Sequence, residues 1–143
     1  MGFLDKFKSK AAASTNKFSG RLDALQAVCA SAAIAAAADG TVADKELDKA
    51  TASINSMPAL KDNFPQSQID QTLDTMLKRA AGGRMGIRGL FKEIEDVKND
   101  AEFAEACIYV ALDVADDGGI GSEEMAAVTK IADALGLDLK KFL

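Results

Sequence analysis

Histidine and tryptophan are absent from this chain of 143 residues, and it has only two cysteines, two prolines and one tyrosine. Without histidine there is no Ser-His-Asp triad, no Cys-His pair, no imidazole proton shuttle and no His-ligated zinc site. Two cysteines, Cys29 and Cys107, cannot build a four-thiolate site, and their separation excludes a CxxC motif. No GxGxxG or GxxxxGK[ST] stretch marks a nucleotide site. The chemistry that remains points away from an enzyme. No apolar run reaches the length of a membrane span. The opening MGFLDKFKSK has no continuous apolar stretch of a secretory signal, so a cytoplasmic location with reduced thiols is expected.

What the chain has in quantity is alanine, the best helix former, within a 48% hydrophobic composition. No segment alternates with period two. The expectation is an all-α fold, a single-domain bundle of about seven helices. Charge is distributed unevenly. Of 17 basic and 22 acidic residues, five and one respectively fall in residues 1–21, a local balance of +4 that leaves −9 for the rest. Residues 1–20 therefore read as a basic amphipathic leader, with Phe3, Leu4, Phe7 and Ala11 on one helical face, and residues 21–143 as the helical domain. The leader packs on the bundle, is frayed, or makes weak contact with an anionic membrane surface, the first two being favoured. The acidic body argues against nucleic-acid binding.

Apolar periodicity places the helices. Leu22, Leu25, Cys29, Ala32 and Ala36 form a buried stripe on a helix from about Arg21 to Ala38. Asp44 is expected to cap the next helix, which turns Leu47, Ala50 and Ile54 inward and ends before Pro58. Ile69, Leu73, Met76, Leu77 and Ala80 mark a third helix. The glycine-rich GGRMGIRG, Gly82 to Gly89, reads as a turn or hinge before a short helix through Leu90, Phe91, Ile94 and Val97. Asn99 or Asp100 caps a helix carrying Phe103, Cys107, Val110 and Val114. Ser122 is expected to cap the last long helix, closed by Gly136. Cys29 and Cys107 both fall on apolar faces and are expected to be buried core residues.

Two stretches repeat. AAAADGTVADKE (Ala35 to Glu46) and VADDGGIGSEE (Val114 to Glu124) superimpose at an offset of 78 residues, so Asp39-Gly40 falls on Asp117-Gly118, Val42 on Ile120, Glu46 on Glu124 and Cys29 on Cys107. The bundle thus reads as two pseudo-repeated halves, each a helix, an Asp-Gly turn and a helix. Two readings of the shared D-G-x-[VI]-x-[DS]-x-E pattern stay open. In one, glycine ends a helix, Val42 or Ile120 plugs the core, and the acids suit the following helix N-terminus. In the other, the spacing matches the second half of a calcium-binding loop, with Asp113, Asp117 and Glu124 at its first, fifth and twelfth positions. Ala35, Ala37 and Ala115 stand where further ligands would be, so an ordinary loop of that kind is not expected. A pseudo-twofold arrangement would instead let Asp39, Glu46, Asp117 and Glu124 share one divalent cation: calcium, magnesium or zinc.

The two copies, AAIAAAADGTVADKELDKA and IYVALDVADDGGIGSEEMAAV, together with the leader MGFLDKFK, resemble the TerB family of tellurite resistance proteins over essentially the whole chain. The resemblance implies an all-helical, non-enzymatic bacterial domain associated with tellurite and other stresses. It implies metal binding at Asp39, Glu46, Asp117 and Glu124. It also implies partnership with other tellurite-resistance proteins, membrane and calcium-binding components among them, in the cytoplasm or at the inner membrane.

Overall fold

The computed structural model describes residues 20–40 and 44–143. The leader of residues 1–20, apart from Gly20, and the expected plug Val42 lie outside the described residues. Seven α-helices account for most of the described chain: α1 (Leu22–Ala36), α2 (Asp44–Asn55), α3 (Pro58–Lys61), α4 (Gln66–Ala80), α5 (Gly83–Glu95), α6 (Ala101–Ala115) and α7 (Ser122–Leu135), followed by a 3-10 turn at Leu139–Phe142. No strand occurs among the described residues. The fold is all-α, and none of these helices is long and apolar enough to cross a membrane.

α1 is the axis of the bundle. It packs along α6 and also touches α2, α4, α5 and α7. The expected single stripe on α1 is therefore too narrow. Ala24, Leu25, Val28, Ala30, Ala33 and Ile34 are as buried as Cys29 and Ala32, and only the helix start emerges, leaving Leu22 43% exposed. A helix apolar all round belongs in the centre of a core, and its alanines let neighbours approach closely. α6 is built the same way, with Phe103, Cys107, Ile108, Val110, Ala111 and Leu112 wholly buried. α2, α4, α5 and α7 are amphipathic and wrap this pair. On α2 the inward residues are Ala50, Ser53 and Ile54, while Leu47 stands 39% exposed near the helix start.

The glycine-rich segment is not a hinge. Gly82 flanks α5, which runs unbroken from Gly83. Gly86 and Gly89 face the end of α4 instead. A Cβ on Gly86 would stand 1.8 Å from the Arg79 carbonyl oxygen, and one on Gly89 2.6 Å from the Arg79 guanidinium. The glycines are there for close helix contact, which sequence punctuation cannot distinguish from a turn. Arg79 lies in this seam, with its guanidinium 3.6 Å from Glu93 and 3.4 Å from the Met76 sulfur.

The caps also differ in detail. Gly121 is the N-cap of α7 and Ser122 its first helical residue, with no side-chain capping bond. Asp44 likewise lies within the first turn of α2. Gly136 closes α7 in the left-handed conformation (φ 69°). The Leu137 N–H donates to Ala132 and the Gly136 N–H to Asp133, a paired closure that glycine permits without steric cost.

Candidate cation site at the two Asp-Gly bends

Both bends begin where a central helix runs out. After α1 the Ala37 N–H donates to the Ala33 carbonyl at 3.0 Å, and the chain turns at Gly40 (φ 96°). After α6 the Asp116 N–H donates to Leu112 at 3.0 Å. The Asp116 carboxylate then accepts the Gly119 N–H at 2.9 Å, holding a turn in which Gly118 and Gly119 both take positive φ. A short polar side chain that bonds backbone two or three residues on favours such a turn over further helix.

Because α1 and α6 pack side by side, the two bends meet at one end of the bundle. Between them lies a cavity of about 60 Å³. Its apolar floor is Ala35, Ala36, Val114 and Ala115, the last turns of the two central helices. Its walls carry Asp39 and Glu46 from the first copy and Asp117 and Glu124 from the second. Four of the five acids singled out from the sequence thus line one cavity. Asp113 does not line it: its carboxylate accepts the Ser53 hydroxyl, tying α6 to α2.

Two basic residues that sequence reasoning passed over share the cavity, Lys45 and Lys49 of α2. Their i, i+4 spacing was visible and places both on one side of the helix. The Lys45 ammonium donates to the Asp117 carboxylate, linking the two bends across 72 positions of sequence. That contact, reinforced more weakly by Lys49, holds the Asp117 carboxyl below the usual carboxylate range and raises Lys45. Both side chains are more than half exposed, so the pair contributes little to stability. Its consequence is positional, since the acidic wall already holds one positive charge.

Glu124 has a local role too. It is the third residue after the α7 N-cap, and its carboxylate lies against Gly121, where a Cβ would come within 2.9 Å of it. This is where a glutamate reaches back over a helix N-terminus, and where the helix dipole favours negative charge. Among the described residues no three acidic or thiol groups converge closely enough to form a ready cage for a metal.

The thiols are remote from this chemistry. Cys29 and Cys107 are fully buried in α1 and α6. Desolvation raises both well above the ordinary thiol value, Cys107 to about 12. The thiolate is the nucleophile and metal ligand, so neither cysteine is poised for either role in the folded protein. A disulfide-exchange thiol reagent is expected to label neither cysteine under native conditions and both after denaturation. Rapid native labelling would contradict this burial.

A family model described as tellurite resistance protein TerB matches residues 25–143, which span every described helix except the first turn of α1. Searches of curated proteins and of solved structures returned no match. The helical architecture and this match over most of the chain agree, and the chain belongs to the TerB family of tellurite resistance proteins.

Proposed function

We propose that this chain serves tellurite resistance as a non-enzymatic, divalent-cation-binding interaction module. It works in the cytoplasm and at the inner membrane surface, in a complex with membrane and calcium-binding tellurite-resistance proteins. The observation that carries this reading is the shared cavity, to which each bend contributes two carboxylates, Asp39 with Glu46 and Asp117 with Glu124. Carboxylate oxygens supply the charge that a hard cation needs. With no histidine in the chain and both thiols buried, the donor set suits calcium or magnesium better than zinc. A bound cation would supply positive charge between the bends, in the place where Lys45 now neutralises Asp117. The chain's own contribution is to bring the two acidic pairs together on a rigid pair of central helices.

Thermal melting with calcium or magnesium tests this. At about one hundred times its dissociation constant, a ligand specific to the folded state adds about 2.7 kcal/mol. For a chain of this size that is a rise in Tm of about 5–10 °C. Asp39→Asn and Asp117→Asn are each expected to remove most of the rise. No shift of the wild type at millimolar cation would refute the proposal.

A metal-independent scaffold is the second reading, favoured by two specific contacts. Lys45 satisfies Asp117, and Glu124 folds over the start of α7, so these acids already serve folding. On that reading the bends present a docking surface, and added cation leaves the melt unchanged.

A further inference from the structure

The exposed side of α5 has the opposite charge to the rest of the domain. From Arg79 to Lys92 the sequence RAAGGRMGIRGLFK holds four cations and no acid. Arg79 is drawn into the α4–α5 seam by Glu93. Arg84, Arg88 and Lys92 recur every four residues on the exposed side of α5, and no ion pair among the described residues includes them. Met85 stands beside them 82% exposed, the most exposed large apolar side chain of the described residues. Ile87 and Phe91, half-buried at the edge of the stripe, extend the apolar surface. Acids return after Lys92, with Glu93 turned toward Arg79 in the seam and Glu95 and the following Asp96 exposed.

We propose that this face of α5 docks on an anionic phospholipid surface, with Met85 entering the headgroup layer and Arg84, Arg88 and Lys92 lying over lipid phosphates and carboxylates. The charge complementarity is local. At physiological ionic strength the Debye length is about 8 Å, so the charges on the face presented weigh most in the attraction and those farther off are screened. The face stands beside the exposed Gly82 and Gly83, and α5 lines neither the cavity between the bends nor the groove formed by Met125, Thr129, Leu137 and Leu139. A bilayer accepts a basic helix face with an inserted apolar tip, whereas a peptide needs a groove for its side chains. The inference does not depend on cation binding at the bends.

Vesicle flotation with the full-length chain tests it, using phosphatidylcholine vesicles with and without phosphatidylserine. The wild type is expected to float only with the anionic vesicles, less so as salt is raised. Each juxtamembrane cation is worth about a fivefold change in partitioning, so Arg84→Gln, Arg88→Gln and Lys92→Gln combined should weaken binding about a hundredfold. Met85→Ser should weaken it severalfold. All four side chains are exposed, so the variants should melt like the wild type, and this is checked in parallel. Unchanged flotation of either variant overturns the assignment, because the contact then lies elsewhere, in the leader for example. So does a wild type that ignores anionic vesicles, or that instead binds duplex DNA through the same three residues.

Discussion

Gly86→Ala is expected to destabilise the domain by about 3 kcal/mol, the upper end of ordinary overpacking. Intrinsic helix propensity predicts the opposite sign, since alanine inside a helix is better than glycine by about 1 kcal/mol. Geometry decides between them. The added Cβ would lie 1.8 Å from the Arg79 carbonyl oxygen, which is backbone and cannot swing aside. α5 would have to move away from α4 by more than an ångström, disturbing a helix whose Leu90 and Ile94 are wholly buried in the core. Gly89→Ala is a graded control. Its Cβ meets only the end of the Arg79 side chain at 2.6 Å, a group that can rotate, so a cost of about 1 kcal/mol is expected. Urea denaturation of the two variants checks both size and order. A stabilised Gly86→Ala protein would show that the helices do not approach this closely.

Phe103→Ala is expected to cost about 3–5 kcal/mol, which is the range for emptying a buried aromatic site. Phe103 has no solvent exposure and heads the largest fully buried side chains of the described residues. It also anchors the start of α1 from outside. The Arg21 guanidinium carbon lies 4.5 Å above its ring centroid, while Arg21 bonds Asp23 at 2.9 Å and approaches Asp100 at 3.8 Å. Removing the ring leaves a cavity and loosens the link between the first turns of α1 and α6. Phe103→Leu keeps most of the apolar volume but loses the π-face, so about 1.5 kcal/mol is expected. Since small domains are stable by only about 5–15 kcal/mol, the alanine variant should have a much lower denaturation midpoint. An effect below about 1 kcal/mol would mean that α6 is not packed as described.

The contrast between these two positions shows where sequence reasoning succeeds. Phe103 was legible because a large apolar residue on a clean helical stripe is nearly always inside. Gly86 was misread because the same residue serves for a turn and for close contact. The opposing backbone, seven residues earlier on another helix, leaves no periodic trace. The caps at Ser122 and Asp44 moved inward by one residue for a simpler reason, since a polar residue at a helix start suits the cap and the first turn almost equally.

At the bends the division is similar. The acidic pairs, their glycines and the offset between the copies were all written in the sequence. Their meeting in one cavity was not, because it depends on α1 and α6 lying side by side. The engagement of Asp113 by Ser53, and of Asp117 by Lys45, was equally hidden. Each of those contacts joins residues at least sixty positions apart, from α2 to the end of α6 or to the bend that follows it.

By itself, then, the amino-acid order determined an all-helical chain, the positions of most helices, the duplicated acidic bends and the kinship with TerB. Local propensity and apolar periodicity act over a few residues and survive in any context. Only the tertiary structure decided that α1 and α6 are buried over most of their surface, that glycine fits α5 against α4, and which charges share the cavity. Those outcomes depend on distances between different helices, and hydrophobic burial sets such distances without a local signature.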